Sequence, residues 1–174
     1  MRSLLRLQTV LLTLVFLLAV VGFAQTAKPE KSEDDCTRPS KSSALITGCK
    51  VLDDFMTGFN SRDSLKWAQT LNYPHVRVAG SEVIVWNTPE DYAKANDLQQ
   101  FAKTGWNHSQ WDWRRLVQSS DDKLHFLVQF SRYNDAGKPV AAYESLYILT
   151  KKNNHWGVQA RSSFAGIAIP GAAF

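Results

Sequence analysis

The sequence predicts an α+β fold in which three helices on the N-terminal side pack on a mostly antiparallel sheet. Two observations carry this expectation. Apolar residues recur at helical spacing from Ala44 to about Asn72 and again after Pro89, whereas everything beyond Gly105 consists of strand-like runs separated by short polar turns. Because those last connections are short, consecutive strands must pair antiparallel.

The elements follow in chain order. Met1 to Gln8 carries Arg2 and Arg6 without an acid, and the apolar run Val10–Ala24 ends on small residues, the charge, hydrophobic and cleavage pattern of a secretory leader at 1–24. The run is shorter than the roughly 20 apolar residues that span a bilayer, so no membrane association is expected after cleavage. Residues 25–43 are charged and poor in apolar side chains, the composition of a flexible linker. The domain proper is expected over 44–165, and an uncharged apolar tail, GIAIPGAAF, occupies 166–174.

Within the domain, Leu45, Cys49, Leu52, Phe55, Met56 and Phe59 form one apolar stripe, stopped at Asn60 and Ser61. A shorter helix through Leu65 and Ala68 is expected to run to Leu71 or Asn72, ended by Pro74. Val76–Ala79 and Glu82–Trp86 flank Gly80 and Ser81, a two-residue hairpin signature. Thr88, Pro89 and Asp91 mark an N-cap, a first-turn proline and a capping-box acid, opening a single helix to about Lys103. Four strands complete the chain: Ser109–Gln118, Lys123–Tyr133, Val140–Thr150 and His155–Phe164, divided by SSDD, NDAGKP and KKNN.

Charge and composition exclude several function classes. Arg2 and Arg6 account for two units of the formal net charge of +4, leaving +2 after the leader, too little for a nucleic-acid partner. The four histidines show no closely spaced ligand pair, so no metal is expected. No G-x-S-x-G elbow and no glycine-rich phosphate loop occurs, and no cofactor is expected. Cys36 and Cys49 lie in a chain with an export signal, and their pairing would pin the polar segment to the domain; the alternative is a buried free Cys49 and a solvent-facing Cys36.

The stretch FNSRDSLKWAQTLNYPHVRVAGSEVIVW, followed by TPEDYAKA, the meander and a last strand NHWGVQARSSF, resembles the nuclear transport factor 2-like superfamily, in particular its SnoaL-like branch. The resemblance covers about Lys50 to Ala165. It implies a cone-shaped α+β fold, a strongly curved sheet around helices, a mostly apolar pocket at the wide end, and dimerisation through the sheet. Superfamily members include isomerases, dehydratases, cyclases and assembly domains, so the fold does not choose a function.

Chemistry-bearing candidates cluster around one strand. His75, Arg77 and Ala79 share a face by period two, opposite Val76 and Val78, which would aim a neutral histidine and a guanidinium at one spot. With Tyr143 they form a candidate catalytic set: His75 as general base, Arg77 and Tyr143 steadying oxyanion charge. The alternative is structural, with Arg77 paired to an acid such as Asp54 or Glu144. Trp86, Trp106, Trp111 and Trp113 are candidates for the wall of a pocket, Trp111 and Trp113 sharing a face with Arg115. Leu124, Phe126, Val128 and Phe130 would line one sheet face and Leu127 the other; a sheet apolar on both sides predicts a homodimer. The leading expectation is therefore an exported domain that binds a small apolar molecule. The alternatives are a cofactor-free isomerase, dehydratase or cyclase working through His75, and a dimeric interaction module without a ligand.

Overall fold

The computed structural model describes residues 35–165. The expected leader, most of the linker and the apolar tail lie outside the described residues.

Helix α1 spans Ser43–Asn60 and begins where the Ser42 hydroxyl accepts the Leu45 N–H. Its stripe of Leu45, Leu52, Phe55, Met56 and Phe59 is buried as the spacing predicts. A Cβ at Gly48 would stand 2.2 Å from a ring carbon of Phe126, so the helix can lie directly on the sheet only because that position is glycine.

Helix α2 covers Ser64–Ala68, with the Asp63 carboxylate accepting from the N–H groups of Leu65 and Lys66. It stops earlier than the spacing suggests. Leu71 and Asn72 belong instead to strand β1, Leu71–Ala79, where Leu71 is in register with Val158 and the Asn72 amide donates to the Thr150 carbonyl. The buried residues of α2 are Trp67 and Ala68, while Leu65 faces solvent. Strand β2, Glu82–Trp86, returns across a hairpin whose Gly80 sits at φ +60°.

The single helix expected after Thr88 is two: α3, Pro89–Ala95, and α4, Leu98–Ala102. Asn96 and Asp97 cause the break. The Asn96 amide turns back to the Tyr92 carbonyl, and the Asp97 carboxylate takes the N–H groups of Gln99 and Gln100, capping a new helix.

Four long strands follow: β3 (Trp106–Ser119), β4 (Lys123–Asn134), β5 (Pro139–Lys152) and β6 (His155–Ser163). They join β1 and β2 in one open, mixed sheet of order β2-β1-β6-β5-β4-β3, with β1 and β6 the parallel pair. The helices lie on one face of this sheet, over Leu124, Phe126, Val128, Tyr147, Leu149 and Val158. This is the α+β arrangement of helices within a cone of sheet.

Cys36 and Cys49 are joined, with Cα atoms 5.6 Å apart. Cys36 N–H also donates to the Arg114 carbonyl, and Asp35 bridges to Arg115, so residues 35 and 36, expected in the linker, are tied to the edge strand β3.

Candidate functional site

Register on the helix-facing side of the sheet places Ile84, Arg77, Arg161, Tyr147 and Phe126 in one row across β2, β1, β6, β5 and β4. Two guanidinium groups are thus neighbours on adjacent strands inside the domain, and Arg132 projects from the same face of β4. All three are buried, and no aspartate or glutamate among the described residues is. This concentration of positive charge on an aromatic interior is the unusual feature of the molecule.

Arg161 lies at its centre, 7% exposed. Its Nη2 donates to the Tyr92 hydroxyl at 2.7 Å and its Nε to His75 Nε2 at 3.3 Å. The guanidinium carbon stands 5.3 Å from the ring centre of Phe55, 5.5 Å from that of Trp67 and 5.9 Å from that of Tyr147, a cage of π faces. Burial opposes its charge, but the phenols of Tyr92 and Tyr147 outweigh that and hold its pKa above the usual arginine range. Burial pushes the Tyr92 phenol itself up to about 12, so this partner is neutral at physiological pH.

His75 is wholly buried. Its Nδ1 lies 3.0 Å from the Val158 carbonyl, which can only accept, so Nδ1 carries the proton and Nε2 presents a lone pair to Arg161. Burial, then the charges of Arg161 and Arg77, push its pKa down to about 3, so the ring is neutral across the physiological range. The neutrality agrees with the sequence expectation. The free lone pair required of a general base does not exist, because Arg161 occupies it.

Arg77 shares the inward face with His75, as period two predicts, and donates through Nη2 to the Ala165 carbonyl at 2.9 Å. Burial and the nearby Arg161 lower its pKa to about 10. Neither acid named as its partner faces it: Asp54 bonds Lys50 on the exposed side of α1, and Glu144 points outward from β5.

The other candidates separate. Tyr143 faces inward, but four residues before Tyr147 on β5; its neighbours are Phe130, with ring centres 5.6 Å apart, and Arg132, whose guanidinium carbon stands 5.0 Å from the ring centre. Tyr147 and Tyr92, not Tyr143, accompany the row of Arg77 and Arg161. Trp86 stacks on His75 and meets Tyr92 edge to face, and Trp106 packs between Phe59 and Phe101 while donating to Ser109, so both are core rings. Trp111 and Trp113 do not share a face. A bulge between them turns Trp111 inward, where it donates to the Leu52 carbonyl, and Trp113 outward beside Gln129, with Arg115 stacked 4.4 Å over it. His108 stacks on Tyr133 and His125 bonds Gln118, so neither joins His75. No group of three His, Cys, Asp or Glu suited to a metal occurs among the described residues.

Sequence reasoning missed Arg161, Arg132, Trp67 and Tyr92. The available signal was a lone arginine inside an otherwise uncharged strand, in HWGVQARSSF and again in VQFSRY. A surface strand rarely carries one charge amid apolar residues without a purpose for it.

No family model and no curated protein matches the chain. Solved structures do. A protein of unknown function with a cystatin-like fold from Nostoc punctiforme is 11% identical, with a TM-score of 0.57 over 72% of this chain and 92% of its own. A ketosteroid isomerase-like protein from Erwinia carotovora atroseptica is 19% identical, with a TM-score of 0.53 over 71% of this chain and 96% of its own. An NTF2-like protein from Cytophaga hutchinsonii is 12% identical, with a TM-score of 0.54 over 72% of this chain and all of its own. Helices before an open mixed sheet, the strand order, and these neighbours agree: the chain has the nuclear transport factor 2-like fold.

Proposed function

We propose that this is an exported protein that binds a small organic anion with an apolar body inside the cone, against Arg161 and Arg77. The observation that carries the reading is Arg161, a buried guanidinium whose hydrogen-bond partners are a histidine held neutral and two phenols. A buried charge is expensive unless an opposite charge meets it. An anionic ligand would supply that charge, and the surrounding rings of Phe55, Trp111 and Tyr147 suit its apolar body. The expected apolar molecule thereby gains a charged end.

Binding is favoured over proton-transfer chemistry because the lone pair of His75 is engaged. His75 orients Arg161 and is a positioning residue. The disulfide suits an oxidising compartment, and among the described residues no helix is long and apolar enough to cross a membrane.

Calorimetry of the domain with acetate, hexanoate, benzoate and phenylacetate, each beside its neutral amide, tests the reading. Carboxylates are expected to bind and the amides to bind at least tenfold more weakly; Arg161→Gln should lose the preference, a change of about 1.4 kcal/mol or more. Equal binding of acid and amide, or unaltered carboxylate affinity in Arg161→Gln, would overturn it.

We propose further that two copies pair through the outer sheet face. Val83, Val78, Ser162, Leu146 and Leu127 make a cross-strand row there, with Val85, Val76, Ala160 and Ile148 alongside. Arg115 and Glu144 lie on the same face with opposite charges, so a two-fold arrangement can match one against the other.

A further inference from the structure

Trp67 sits beside Arg161 with an unmet need of its own. The indole is 4% exposed, and its Nε1 is a buried donor with no acceptor among the described residues. Three other indoles are satisfied: Trp106 donates to the Ser109 hydroxyl, Trp111 to the Leu52 carbonyl and Trp113 to the Gln129 amide oxygen. Leaving one buried N–H unmatched costs stability, since water satisfies that group in the unfolded chain. The ring is not loose enough to escape the problem. It is held between Phe59 at 4.8 Å, Tyr92 at 5.0 Å and Phe55 at 5.5 Å, all centre to centre.

We infer that Trp67 is the second hydrogen-bond donor to the ligand, so that a planar carboxylate is taken by the Arg161 guanidinium and the Trp67 indole N–H together. The inference rests on the anion reading of Arg161 proposed above and sharpens it. The guanidinium carbon of Arg161 lies over the Trp67 ring, 5.5 Å from its centre, so the two side chains are in direct contact. A carboxylate has two oxygens and accepts on both, whereas an alcohol or ketone of the same size has one. Two donors from different elements, α2 and β6, would then read the ligand's charged end, and Tyr92, bonded to Arg161 and packed on Trp67, fixes their relative placement. Trp67 is a binding residue in this arrangement and takes no part in proton transfer.

The test uses the ¹⁵N-labelled chain without its leader, whose six tryptophans give six indole N–H signals. Trp67 is assigned from the signal missing in Trp67→Phe, or, should that variant fold poorly, from its proximity to the rings of Tyr92 and Phe59 in the wild type. Acetate, hexanoate, benzoate and phenylacetate are the probes. On titration the Trp67 signal should move downfield along the same isotherm that calorimetry reports, and Trp67→Phe should weaken the bound carboxylate roughly tenfold. Carboxylate binding that leaves the Trp67 signal in place, or that Trp67→Phe does not weaken, overturns this inference and leaves the Arg161 reading standing; an ordered water on the indole is then the explanation. Failure of every carboxylate to bind the wild type overturns both.

Discussion

His75 shows how one side chain is committed by its surroundings. Its Nδ1–H is spent on the Val158 carbonyl and its lone pair on Arg161, so protonation would both bury a second positive charge and expel the first from its partner. The folded-state pKa of about 3 lies below the ordinary value of 6.5, which means the unfolded chain binds the extra proton more readily. The stability that neutral His75 contributes is complete above pH 6.5 and is lost as the pH falls from there toward 3. At pH 5 the loss is about 2 kcal/mol, at roughly 1.4 kcal/mol per pH unit below 6.5. Urea unfolding at pH 7.5 and pH 5 should show this difference in wild type and a smaller one in His75→Gln. Identical pH dependence in the two proteins would remove His75 as its source. The inward face of β1 was legible from period two alone, because His75 and Arg77 are separated by one residue. Arg161 was not, since nothing local in QARSS says which residue of the parallel neighbour it will meet.

At the scale of elements, the cap at Thr88 was readable and long-range choices were not. Thr88 and Pro89 announce a helix start through a bond that spans three residues, and both are used as the sequence suggests. The early end of α2 and the bulge that parts Trp111 from Trp113 depend on partners on distant strands, Val158 for Leu71 and Gln129 for Trp113, which a local pattern does not encode. The N-terminal segment is the clearest case. Its composition reads as linker, yet Asp35 bridges β3 and Cys36 is bonded to Cys49 on α1. A loop closed over a sequence separation of 13 is worth about 3 kcal/mol by chain entropy. Replacing both cysteines with serine should lower the free energy of urea unfolding by about that amount, with the helical circular dichroism of the native state retained. A variant as stable as wild type would mean that the contacts of Cys36 and Asp35 with β3 hold the segment without the bond.

For the whole molecule, the sheet has two faces with opposite fates. The inner one is covered by α1 and its aromatic neighbours, whereas the outer one leaves Val83 63%, Val85 51% and Leu127 42% exposed. Isolated apolar side chains on a surface need no account, but these fall in register across five of the six strands and merge with half-buried Val76, Val78, Leu146 and Ile148. A face of this breadth can supply the roughly 800 Å² per partner of a stable interface. Its two opposite charges, Arg115 and Glu144, suit a partner that is another copy. Sedimentation equilibrium should therefore find a dimer at micromolar concentration. Leu127→Glu, which puts a carboxylate at the β4 end of the row, should give a folded monomer with the unfolding free energy of the isolated domain. The site proposed at Arg161 lies on the other side of the sheet, so the monomeric variant should keep whatever carboxylate affinity the wild type shows. A wild-type protein that is monomeric at 100-fold higher concentration, or a Leu127→Glu dimer, would require another explanation for the apolar row. Loss of carboxylate binding on dissociation would instead couple the two faces through β5 and β6, the strands that carry both Leu146 in the outer row and Tyr147 and Arg161 in the inner one.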